Sequence, residues 1–276
     1  MKRRFITAGI IIVVLTAVLF LSKFLVYPLV IALLSLVAVF ELLKVLDMHK
    51  RLVVAIPSYL IAYALPTICY FVDPTYQHDY LLITAYVLVG FMLYLFGVSV
   101  FTKGKMSFSA ISSIFMVVVY VIASFTSMSM IRYIPYGLFC LGIILISAWI
   151  CDSFAYLVGY FFGKHKLIPE ISPKKTVEGA IGGVVFATLG LNLYGLIIEL
   201  VTETTVSYIT LTVLGVVLSV VSQLGDLIAS VIKREHNVKD FGNFMPGHGG
   251  IMDRFDSILP VSIVLLIFCM YFSPFS

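Results

Sequence analysis

The sequence predicts an all-α, polytopic integral membrane protein of about nine transmembrane helices, with its N-terminus in the cytoplasm. Three observations predict it. The 276 residues are 61% hydrophobic and only 12% charged, with a mean hydropathy of +1.11, whereas ordinary soluble domains carry roughly 25% charge. Apolar runs recur along the chain at about the 20 residues that a helix needs to cross a hydrocarbon core. Finally, the basic residues fall almost entirely on one side of the alternating segments, as the positive-inside rule demands of a correctly counted chain.

The first expected span, 5–22, follows Met1-Lys2-Arg3-Arg4 and so resembles a signal peptide. No small-residue cleavage site follows it, and it is read as a retained helix. The second, 24–43, begins almost at once, so the two should form a tight hairpin about Ser22-Lys23. The remaining spans are expected at 53–72, 80–101, 108–126, 134–162, 178–200, 206–232 and 257–275. The sixth and eighth exceed what a crossing requires, so their ends should project or tilt. With these nine, 16 of the 18 Lys and Arg lie on the N-terminal side and only Lys23 and Arg132 lie opposite. The opposite-side segment Asp73 to Asp79 carries acids and no base. An odd number of spans puts the Ser273-Pro274-Phe275-Ser276 tail outside. Cys69, Cys140, Cys151 and Cys269 stand singly in apolar runs, without metal-ligand spacing, so neither a zinc site nor disulfides are expected. One membrane-embedded domain is expected, with 1–130 as a helical scaffold and 131–276 as the catalytic half.

Within this apolar chain, Gly225 to Asp256 carries nine charged residues and two histidines in 32 positions. Ionised side chains are costly in lipid and need a reason. On a helix, Asp226, Ser230 and Lys233 or Arg234 share one face. Asp226 either pairs with those cations as the helix leaves the bilayer or serves as a ligand. Asp253 and Asp256 open the last span at i and i+3, where acids also cap a helix start. The sharper reading makes Asp226 and Asp253 hard oxygen ligands for Mg²⁺, which takes one or two carboxylates and completes its shell with substrate phosphates. Between them, Met245-Pro246-Gly247-His248-Gly249-Gly250 breaks the helix, and its glycines allow backbone N–H groups to approach phosphate oxygens. His248 could contact phosphate or shuttle a proton. Lys233, Arg234, Lys239 and Arg254 supply positive charge for a departing pyrophosphate.

A second charged patch is Ser172-Pro173-Lys174-Lys175-Thr176, with Thr176 the expected N-cap of the next span. Lys174 and Lys175 either hold an anionic lipid head or anchor the helix at the interface. Upstream, Asp152 lies inside the sixth span with Tyr156 and Tyr160 at i+4 and i+8. It should face a polar interior.

These residues resemble the C-terminal signature of the bacterial phosphatidate cytidylyltransferase (CDP-diglyceride synthase) family. The match runs through Ser230, Lys233, Arg234, Lys239, Asp240, Gly242, Pro246, His248, Gly249, Gly250, Asp253, Arg254 and Asp256. Met245 stands where the family usually has Ile, Leu or Phe, a volume-conserving apolar exchange. Asp152, Ala155-Tyr156, Gly159, Phe162-Gly163-Lys164 and Ile171 to Gly179 also look like the family, so the resemblance covers about 147–256. It implies transfer of CMP from CTP to phosphatidic acid, giving CDP-diacylglycerol and pyrophosphate for phospholipid biosynthesis. It further implies Mg²⁺ with a second, monovalent cation, and Asp226 and Asp253 as metal ligands. Lys233, Arg234, Lys239 and Arg254 would bind triphosphate or leaving group, with Ser230 and His248 to Gly250 shaping the phosphate pocket. Asp240 and Asp256 would orient the cations, Lys174 and Lys175 would meet the lipid head, and Asp152 would line the substrate site. CTP, phosphatidic acid and the bilayer are the expected partners, nucleic acid is not, and a homodimer is expected by resemblance alone. The expected location is the inner (cytoplasmic) membrane, with the active site facing the cytosol. A lipid kinase using CTP, of the polyprenol or phytol type, and a membrane transporter are the rival readings. The gathering of charge at one rim, late in the chain, argues against the transporter.

Overall fold

The structure is a computed structural model that describes residues 21–244 and 249–276. Seven of its helices are long and apolar enough to cross a membrane: α1 (Val26–Val45), α2 (Leu52–Ile68), α3 (Gln77–Phe101), α4 (Phe108–Ile131), α5 (Gly137–Phe162), α6 (Val177–Val201) and α7 (Tyr208–Glu235). They coincide with the second to eighth expected spans to within a few residues. The first expected span lies outside the described residues apart from Leu21 and Ser22, which belong to a 3-10 turn, Leu21–Lys23. The protein is thus an all-α polytopic membrane protein.

The ninth expected span differs. Residues 257–275 hold α9 (Ile258–Cys269), only 12 residues long, preceded by the single turn α8 (Met252–Phe255). Twelve residues rise about 18 Å, well short of a hydrocarbon core of roughly 30 Å. The tail then turns back and pairs with the segment before α7. Thr205 N–H donates to the Ser276 carbonyl at 2.8 Å and Ser207 N–H to the Pro274 carbonyl at 3.0 Å. The tail therefore lies at the same end of α7 as the α6–α7 connection.

The described residues form two compact units. The first comprises the chain up to Tyr133 together with Val238–Arg254; the second comprises Ile134–Asn237 and Phe255–Ser276. In the first, α1 and α2 lie against α4. Pro57 has no N–H to give to the Val53 carbonyl four residues back; the Tyr94 hydroxyl of α3 donates to it instead, at 2.8 Å. Tyr27 of α1 donates to the Met128 carbonyl of α4 at 2.9 Å. Apolar helices gain little from hydrophobic contrast with lipid, so such polar ties carry weight beyond their number.

In the second unit, α5 and α6 run together because glycines line their contact. A Cβ at Gly183 would come within 2.9 Å of the Cys151 carbonyl oxygen, and one at Gly182 within 2.6 Å of Val158. The glycines at the start of α6 are thus packed against α5 of the same chain. Between α5 and α6 the chain forms a hairpin of β1 (Lys166–Ile168) and β2 (Ser172–Thr176), paired antiparallel. The expected N-cap is present, with Thr176 Oγ1 accepting from Gly179 N–H at 3.1 Å. Glu178 closes the hairpin, accepting from Lys164 N–H at 3.1 Å and lying 2.6 Å from His165 Nδ1.

Candidate active site

In the second unit four chain segments bring polar groups together. Asp226 lies on α7, nine residues before its last residue, Glu235, with buried Gly225 beside it. Its Oδ2 is 2.5 Å from Lys175 Nζ, delivered by β2. Lys174, its neighbour on the strand, is exposed; successive strand residues point to opposite faces. Asp152 of α5 accepts through Oδ2 from Ser257 Oγ at 2.8 Å, and Asp256 accepts from Ser257 N–H at 2.8 Å. Asp152 therefore has the polar partner its place in a span requires, while Tyr156 and Tyr160 stay exposed. Ser230 is half-buried one turn beyond Asp226, and Arg234 Nε reaches the Ile171 carbonyl at 3.5 Å.

The charges of this cluster act on each other. Burial, and then the negative charge of Asp226, pushes the Asp256 carboxyl up to about 7. The Ser257 N–H and the Lys233 charge oppose the rise, and Asp152 adds to it. Folding thus raises this pKa above its ordinary value of 3.8. Native protein holds the proton that unfolded chain has already released, so the stabilisation is full below about 3.8 and is lost as pH rises through about 7. In metal-free protein, Asp256→Asn should remove that fall. Its melting temperature should fall less between pH 5 and 8 than that of the wild type, the difference being about 2–4 °C for each kcal/mol involved. Parallel declines in both proteins would contradict the assignment.

In the first unit, Asp253 organises the segment that closes the signature. Its Oδ2 accepts from Phe241 N–H at 2.8 Å and Gly250 N–H at 3.0 Å, tying the ends of the segment together. Gly249 has φ +78°, which only glycine adopts freely, as the sequence led one to expect. Lys239, Asp240 and Arg254 are exposed. His248, with Met245, Pro246 and Gly247, lies outside the described residues.

Two residues were not among the sequence expectations. Ser257 bridges Asp152 and Asp256 and left no signal beyond adjacency. Glu41 did leave one, being the only charged residue in the apolar run 24–43. It is 4% exposed on α1 and accepts from the N–H groups of Ile251 and Met252 at 3.1 and 3.0 Å.

Among the described residues no three His, Cys, Asp or Glu side chains surround one metal position. The donor set nevertheless fits a hard cation. Asp152, Asp226 and Asp256 repel one another, and the Lys175 ammonium beside Asp226 shows that this locus takes positive charge. Magnesium needs no full protein cage when substrate phosphates complete its shell.

The sequence matches the model of the cytidylyltransferase family over residues 2–272. It is 36% identical, over 99% of both chains, to the phosphatidate cytidylyltransferase of Bacillus subtilis. To that of Staphylococcus saprophyticus it is 34% identical, over 97% of this chain and 99% of the relative. To the Thermotoga maritima protein of the same name it is 37% identical over 45% of this chain and 47% of the relative.

Proposed function

We propose that this chain, which belongs to the cytidylyltransferase family, transfers CMP from CTP to phosphatidate, releasing pyrophosphate and leaving CDP-diacylglycerol in the bilayer. The observation that carries the reading is the full-length likeness to phosphatidate cytidylyltransferases. The chemistry suits the residues. A phosphatidate oxygen is ionised near neutral pH and attacks the α-phosphorus of CTP; the bond to the bridging oxygen of pyrophosphate breaks. No protein nucleophile is needed, so the protein's work is alignment and charge neutralisation.

The reaction is metal-dependent, and Mg²⁺ is the proposed ion, with a monovalent cation as a second. Asp226 and Asp253 would hold the divalent ion, which when bound supplies charge neutralisation to the phosphates. Lys233, Arg234, Lys239 and Arg254 bind the triphosphate and stabilise departing pyrophosphate. Ser230, His248, Gly249 and Gly250 shape the phosphate pocket, and Asp152, Asp240 and Asp256 hold the cations in place. Lys174 and Lys175 meet the phosphatidate head. The 2.5 Å pair of Lys175 with Asp226 supports this for Lys175, since the residues proposed for the head group and the metal lie side by side. The 16-to-2 distribution of basic residues supports a site on the cytosolic face of the cytoplasmic membrane, where CTP is available.

The test is product identification with purified protein in detergent, given CTP, Mg²⁺ and phosphatidate. CDP-diacylglycerol and pyrophosphate are expected in equal amounts, and omission of divalent metal should abolish both. Release of CDP with a phosphorylated lipid would instead establish the kinase reading.

A further inference from the structure

A carboxylate buried in an apolar helix is costly unless its oxygens are hydrogen-bonded, and its removal leaves the donors unsatisfied. Glu41 is such a carboxylate, and both of its oxygens are used. Oε1 accepts from Ile251 N–H at 3.1 Å and Oε2 from Met252 N–H at 3.0 Å. The space around it is reserved by glycines. A Cβ at Gly250 would run into both oxygens, and one at Gly242 would meet the same carboxylate, its Cδ at 2.7 Å. The segment that Glu41 grips is the one that Asp253 closes on itself through the Phe241 and Gly250 N–H groups. Two carboxylates therefore hold it: Asp253 ties its ends, and Glu41 fastens the C-terminal end to α1 one residue before Asp253.

We propose that Glu41 is a positioning residue for the reaction, holding the Gly250–Met252 backbone so that the Asp253 carboxylate is fixed in its working orientation. This rests on the reading of Asp253 as a metal ligand. Glu41 spends both oxygens on backbone N–H groups. A glutamine in its place offers one acceptor and a second atom that is itself a donor, so one backbone N–H loses its partner. Fixing a ligand to within a fraction of an ångström is what such supporting contacts contribute to metal sites, and losing one typically costs 10–100-fold in affinity or activity.

The experiment compares full-length wild type, Glu41→Gln, Leu42→Ala and Asp253→Asn in lipid nanodiscs, by hydrogen–deuterium exchange and by the Mg²⁺ dependence of CDP-diacylglycerol formation. Leu42 is fully buried on the same helix and serves as the packing control. Glu41→Gln should speed exchange across 238–254 above that elsewhere, and raise half-saturating Mg²⁺ about tenfold. Leu42→Ala should loosen α1 without moving the Mg²⁺ requirement. Unchanged exchange and unchanged Mg²⁺ dependence in Glu41→Gln would overturn the proposal, as would identical shifts in Leu42→Ala. Should Glu41→Gln fail to accumulate, Gly250→Ala, which drives a Cβ into the same carboxylate, is read by the same criteria. Full activity of Asp253→Asn would instead defeat the metal-ligand reading, and exchange would still report whether Glu41 holds the segment.

Discussion

Asp226→Asn and Asp253→Asn are each expected to lower CDP-diacylglycerol formation by about a thousandfold, a loss of about 4 kcal/mol in transition-state stabilisation. Asparagine isolates the charge from the architecture. At 253 its carbonyl oxygen can still accept from Phe241 and Gly250 N–H, the contacts that Asp253 makes at 2.8 and 3.0 Å. What it removes is the anionic oxygen that a hard divalent cation requires. At 226 it also breaks the ion pair with half-buried Lys175. The stability of that variant should therefore be measured beside its activity. Activity within tenfold of wild type in either variant, with folded protein confirmed by thermal melting, would remove that residue from the metal site.

The second large effect is expected at Gly225, next to Asp226. Alanine in a helix normally gains about 0.8–1.0 kcal/mol over glycine, and Gly90→Ala on α3, where nothing lies within 4 Å of the new atom, should show that gain. At Gly225 the same atom would strike the Asp256 carbonyl oxygen and come 2.7 Å from Pro260 Cγ. Backbone cannot step aside as a side chain can, so α7 and α9 must separate. Overpacking of this kind costs about 1–3 kcal/mol, enough to reverse the propensity gain. Because Asp226 and Asp256 flank the contact, their separation should change as well; displacement by about 1 Å can cost 100-fold in rate. Gly225→Val should therefore lower both the melting temperature and the rate, more strongly than Gly225→Ala. A variant as stable and active as the wild type would show that the close approach of the helices is not required.

Much of the membrane architecture was legible because hydropathy and basic-residue placement are local properties. The span at 108–126 could be read from its apolar run, although α4 continues to Ile131 through Thr126, Ser127 and Ser129, whose polarity hid the last turn. The last span was read too long. Residues 270–275 are apolar enough to extend a helix, but the tail pairs with Thr205–Ser207 instead, a contact between residues about 70 apart. The hairpin of β1 and β2 gave no periodic signal, being only three and five residues per strand. The candidate site was legible in its residue types, since most signature positions are charged, polar or glycine against an apolar background. Its partnerships were not. Lys175 was visible as a basic residue at a helix mouth, but its pairing with Asp226 spans 51 positions and depends on where the hairpin folds.

Composition and motif alone mark a polytopic membrane protein of the cytidylyltransferase family, with its candidate site residues spread between 152 and 256. Composition, run length and motif spacing survive without coordinates. Packing in three dimensions divides the signature, with 238–254 joining the N-terminal unit and the flanking residues joining the other. It also decided that Glu41, 210 residues before Ile251, anchors the motif's backbone. The reason is physical: burial makes an ionised carboxylate and two backbone N–H groups seek one another, and which of them can meet is set by the packing of distant helices, not by spacing along the chain.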